Sequence, residues 1–198
     1  MTSADAEFAA AVRRLHRAKD AAYQDAWKRR GEVISILANI ARKADRLEYG
    51  PLGRAPQTWD ESWLDTAVDL LVYCLKYQTY LADLDTGVAG LLFGASTACQ
   101  PYSDGTAGFD LLLSRSVPRT LEAGGLTVSG AAAQVFTRFG ELEGCFQGLS
   151  GIRPPGARLR CAQALTDAAL CLIAALRRGR PDLYAGFLTS CTEGMADA

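Results

Sequence analysis

The chain has a single histidine, six cysteines with no close pair, a formal net charge of only −1 and no apolar run of membrane-spanning length. Each shortage closes a class of function. His16 sits in RRLHRAK, on what reads as a basic and exposed helix face, so a Ser/His/Asp or Cys/His triad would have to be built on a solvated residue. The near-zero charge argues against a nucleic-acid partner engaged over a broad surface. Seven Lys/Arg between Arg13 and Arg30, against Asp20 and Asp25, still make a local basic surface, which reads most simply as a solvated helix face. Lys76 interrupts the longest apolar stretch, and Arg177 and Arg178 end the other, short of the roughly 20 residues a spanning helix needs. No membrane partner is expected. The start, MTSADAEFAAAVRR, lacks the positive-then-apolar order of a secretory signal, and the expected location is the cytoplasm. Cys74 and Cys171 fall inside apolar helical runs, and the cysteines read as buried free thiols. No glycine-rich loop follows a strand, which leaves Walker and Rossmann readings without their context.

What is present is ordinary globular composition, 49% hydrophobic and 22% charged, with apolar residues at helical spacing and no convincing strand alternation. The expected fold class is all-α. A first helix is predicted over 4–29 and breaks at Gly31; a second runs from Glu32 to Glu48, apolar nearly all round. Its exceptions, Glu32, Ser35, Asn39, Lys43 and Arg46, fall in a sector about 80° wide, a narrow polar seam. Gly50, Pro51, Gly53 and Pro56 make 49–58 a loop. A third helix is expected over 59–84, capped by Thr58 or Asp60, with a short fourth over 85–94. The small, turn-rich stretch 96–108 reads as a linker between a first half, 1–95, and a second, 109–198. In the second half, helices are expected over 128–149 and 157–178 and after Pro181, with a moderately apolar segment over 109–122. LDTAVDLLVY at 64–73 lies over LTDAALCLIA at 165–174, and ADRLEYG at 44–50 over GELEGCF at 140–146; this order suggests an internal duplication with a degenerate second copy.

The third helix carries the chemistry. At about 100° per residue, Glu61, Asp65 and Asp69 form one acidic stripe, continued by Val72 and bordered by Tyr73. Three carboxylates in line repel one another unless something positive faces them. If this stripe meets the seam of the preceding helix, the carboxylates converge with Lys43 and Arg46 at one end. Mg²⁺ or Mn²⁺ is one possible partner, since hard cations prefer oxygen; an interhelical salt-bridge network is the other.

KDAAYQDAWKRRGEVISILANIARKADRLE at 19–48, followed by ESWLDTAVDLLVY at 61–73, resembles the phage-type nucleotide-modification-associated domain family. More distantly it is similar to the all-α nucleoside triphosphate pyrophosphohydrolases of the MazG and dimeric dUTPase type. The resemblance spans residues 10–84 and is carried by the Tyr23…Trp27 pair, the K-x-x-R-L run at Lys43 to Leu47 and the D-x-x-x-D step at Asp65 to Asp69. It implies a MazG-like four-helix bundle, here as a tandem of an intact and a degenerate copy, in which Mg²⁺ sits beside a nucleotide's phosphates. A metal-activated water then attacks the α-phosphorus, giving a nucleoside monophosphate and pyrophosphate. Carried over, Glu32, Asp65 and Asp69 would hold metal, and Glu61 with Asp65 would do the catalysis, Glu61 as a further ligand or by orienting the water. Lys43 and Arg46 would meet the phosphates, and Tyr23, Trp27 or Tyr73 would stack on the base. The sequence departs from the pyrophosphohydrolase pattern in two places. Ser35 and Ile36 follow Glu32 where E-x-x-E has its second acid, and the third helix steps by four where those enzymes have E-x-x-D. Leu170 falls where the second copy would need Asp69, so that half is expected to cover the flank a partner subunit covers in dimeric relatives, with pairing of chains still possible. The alternative function is a non-catalytic module, binding a nucleotide or other phosphate-bearing molecule or serving as part of a larger assembly.

Overall fold

The computed structural model describes residues 3–49, 62–94, 100–120, 125–147 and 151–193. Among these the protein is all-α, without a strand. The helices are α1 (Ser3–Tyr23), α2 (Ala38–Tyr49), α3 (Trp63–Leu84), α4 (Thr86–Phe93), α5 (Ala107–Thr120), α6 (Val128–Glu143), α7 (Pro155–Gly179) and α8 (Pro181–Glu193). A 3₁₀ turn (Gln24–Trp27) and a π turn (Glu32–Leu37) join α1 to α2. The expected loop at 49–58 and the caps Thr58 and Asp60 lie largely or wholly outside the described residues.

α3 is the axis of the molecule. Ser62 starts it, accepting the Asp65 N–H at 3.2 Å. Leu64, Leu70, Leu71, Leu75 and Leu81 are then all fully buried. Each large apolar side chain removed from water contributes about 1.5–3 kcal/mol. α2, α3, α7 and α6 form a closed ring of neighbours, with α2 on α3, α3 on α7, α7 on α6 and α6 on α2. α1 lies across α8, α5 and α3, where Phe8 packs against Tyr184 and Phe187. A single core draws residues from all eight helices. α7 is long and apolar enough to cross a membrane by length and composition, but most of it is buried in that core between α3 and α6.

Two local departures from the sequence reading shape the site. The first helix stops at Tyr23, where Gln24 takes a φ of 47° and the 3₁₀ turn swings Trp27 into the protein. The second helix begins as a π turn behind Gly31, whose φ of 82° suits glycine. This rotates the segment so that Val33 and Ile34 are 48% and 67% exposed while Ser35 and Lys43 are buried. The polar seam therefore faces inward at Ser35 and Lys43, but the helix is not apolar all round: its early apolar residues meet solvent. Ser35 is held there by the Arg30 N–H, which its hydroxyl accepts at 3.0 Å.

Residues 100–106, within the expected linker, are folded against α3. Tyr102 stacks on Phe93 with centroids 4.2 Å apart, and the N–H groups of Tyr102 and Ser103 donate to the Asp83 carboxylate at 2.7 and 2.9 Å.

Candidate functional site: a cationic cleft between α1, α2 and α3

Helical spacing builds this site from three directions. α1 contributes His16, Lys19 and Tyr23, each three or four residues apart and so on one face. α2 contributes Asn39 and Arg42, and α3 contributes Asp69, Val72, Tyr73 and Lys76 at the same spacings. With Trp27 closing one end, they enclose a cleft of about 400 Å³. That size lies within the range of small-molecule sites.

Among the described residues Asp69 is its single lining carboxylate. Burial raises its pKa, but Lys19 and Lys43 outweigh that and hold the carboxyl below its ordinary value. Lys43 Nζ lies 2.7 Å from one oxygen, and Lys19 takes the other. Lys76 is 7% exposed; its Nζ is 3.8 Å from Asp20 and 4.6 Å from the centre of the Trp27 ring. Burial brings its pKa down to about 8, against Asp20, which raises it, and with Lys28 and Lys19, which lower it further.

His16 corrects the sequence reading: it is 1% exposed, not on a solvated face. Its ring stacks on Phe109 with centroids 3.8 Å apart, and neither ring nitrogen has a hydrogen-bond partner. Burial first, then the charges of Lys76, Arg17 and Lys19, take its pKa down to about 3, so it is neutral at physiological pH. A signal for this was present, since Phe8, Val12 and His16 step by four along the apolar face of α1.

Of the residues expected to form a site, the structure brings Asp69, Tyr23, Trp27 and Tyr73 into the cleft and places Lys43 directly behind Asp69. Tyr73, which borders the acidic stripe, has its pKa raised by burial and then by Asp69. Arg46 lies one turn beyond Lys43 and is half-buried. Asp65 is occupied at the start of α3, where it accepts the Ser62 hydroxyl at 2.6 Å. Glu61 lies outside the described residues. Glu32 is elsewhere: it accepts the Tyr77 hydroxyl, two turns of α3 beyond Asp69, and pairs with Arg158 of α7. Glu32, Asp65 and Asp69 thus do not form one donor set as placed, and no group of three or more His, Cys, Asp or Glu converges among the described residues. Both oxygens of Asp69 already carry ammonium groups. Lys19, Asn39, Arg42, Lys76 and His16 were not singled out in the sequence as site residues; only the fold assembles them.

An all-α protein with a cationic, ring-lined cleft is the class that fold and site define. No protein-family model, curated protein or solved structure matches the chain.

Proposed function

We propose that this cleft binds a phosphate-bearing small molecule with a planar ring, a nucleotide, and that the chain works as a nucleotide-binding helical module. One observation carries the reading: Lys19, Arg42 and Lys76 share the cleft with Tyr23, Trp27 and Tyr73, against a single carboxylate among the described lining residues. The excess positive charge suits phosphate, the rings suit a base, and Arg42, which is exposed, can meet phosphate oxygens in a bidentate manner. Mg²⁺ enters with the nucleotide, chelated by its phosphates as this ion usually is.

A second reading adds pyrophosphohydrolysis, in a MazG-like bundle duplicated in tandem. What favours it is the packing of α2 on α6 and α3 on α7, the pairs that the internal alignment relates, and the position of Asp65 one turn from Asp69. Titration calorimetry with a nucleoside triphosphate panel, with and without Mg²⁺, together with a pyrophosphate-release assay, separates the readings. Binding without release supports the module, and release abolished in Asp69→Ala supports the hydrolase. Arg42→Ala is expected to weaken binding about tenfold, the equivalent of one charge-assisted hydrogen bond. No binding of any nucleotide would sink both.

A further inference from the structure

The chain has four lysines, and three of them hold a carboxylate at hydrogen-bond distance: Lys19 and Lys43 on Asp69, Lys28 on Asp104. Lys76 does not. Its nearest carboxylate, Asp20, is 3.8 Å away, and its other neighbour is the face of Trp27. It is nevertheless buried, on the cleft face of α3, and shares that cleft with the unpartnered ring of His16. A buried amine with a loose counter-ion and other cations nearby is the setting in which lysine becomes a nucleophile. With its pKa near 8, about a tenth of Lys76 is free amine at neutral pH, roughly three hundredfold more than for an ordinary lysine.

We propose that Lys76 captures a carbonyl compound as an imine, the compound being an aldehyde or ketone whose anionic group is held by Lys19 and Arg42. The Nζ lone pair adds to the carbonyl carbon while the carbonyl oxygen gains a proton, giving a carbinolamine. Loss of the hydroxyl as water leaves the carbon–nitrogen double bond, so amine plus carbonyl gives imine plus water with no change of oxidation state. Solvent water supplies and removes the protons that this addition and dehydration require. The inference rests on the anion-and-ring reading of the cleft, and not on the natural occupant being a nucleotide.

The test uses the full wild-type chain with pyridoxal 5′-phosphate as a phosphorylated aromatic aldehyde, cyanoborohydride to reduce the imine, and peptide mass mapping of the adduct. Pyridoxine 5′-phosphate, the corresponding alcohol, reports non-covalent binding by calorimetry and competition. The expected result is an adduct on Lys76 that forms about tenfold faster than on Lys19, Lys28 or Lys43, is slowed by the alcohol, and is absent in Lys76→Arg. Binding of the alcohol with Lys76 left unmodified overturns the imine and leaves the cleft reading standing. Neither binding of the alcohol nor an adduct on Lys76 overturns both. Mapping on the wild-type chain keeps the outcome independent of how Lys76→Arg folds.

Discussion

His16 and Lys76 are the two groups whose ordinary charge the cleft works against. For His16 the folded-state pKa, about 3, lies below the ordinary 6.5, so the unfolded chain binds a proton that the folded chain refuses. Its contribution is complete above pH 6.5 and is lost as pH falls toward 3. The limiting slope is about 1.4 kcal/mol per pH unit. Denaturant unfolding followed from pH 7 to pH 5, above the ordinary carboxylate range, should therefore show stability falling, and His16→Leu should flatten that dependence. A wild-type profile as flat as the variant's would mean that His16 is solvated. At this scale the sequence was only partly legible. The apolar spacing of Phe8, Val12 and His16 pointed inward, but the flanking Arg13, Arg14, Arg17 and Lys19 outweighed it in a reading made one helix at a time. Lys76 could not be told from a charge that merely breaks an apolar run, because its neighbour Trp27 arrives through a turn nothing in the periodicity announced.

Among elements, the helices were legible because their apolar periods and breakers agree: α4 starts from the Asp85 cap, α7 ends at Gly179 and α8 begins at Pro181. The break at Gly31 was legible from its glycine, but the course of the turns was not, since it depends on single backbone conformations such as the φ of Gln24. The seat of α5 is another such case. Gly108 lies so close to the chain at Tyr102 that a Cβ there would stand 2.3 Å from the Tyr102 carbonyl oxygen, a backbone atom that cannot rotate aside. Gly108→Ala should cost about 3 kcal/mol through displacement of that turn, measurable as a lowered midpoint in thermal or urea unfolding. The same change at Gly140, which has open space around it inside α6, should be neutral or slightly stabilising. Equal effects at the two sites would show that residues 100–106 do not pack on α5.

Across the whole molecule, the first and second halves are joined by the core and by ionic contacts, Asp5 with Arg177 and Glu32 with Arg158 among them. Glu32, at the π turn, accepts the Tyr77 hydroxyl and pairs with Arg158 in the first turns of α7. Glu32→Ala leaves Arg158, 6% exposed, without its partner, at an expected cost of about 3–5 kcal/mol. Adding Arg158→Met should restore more than half of that loss, and a double-mutant cycle measures the coupling. Glu32 illustrates why the candidate site was half legible. An acid on an inward seam is recognisable in sequence, yet whether it meets metal, lysine or arginine is decided by a helix more than a hundred residues away. Asp69 was recognisable in the same way, and the fold gave it two lysines. The proposed nucleotide-like anion would lie in the cleft that His16 lines. Because the chain has one histidine, its imidazole gives a single reporter at the floor of that cleft. The most direct measurement is the nuclear magnetic resonance signal of the His16 ring during titration with a nucleoside triphosphate and Mg²⁺. A nucleotide bound in the cleft should give a saturable shift that Arg42→Ala moves to higher nucleotide concentration; a His16 signal that stays fixed while calorimetry records binding would place the ligand elsewhere.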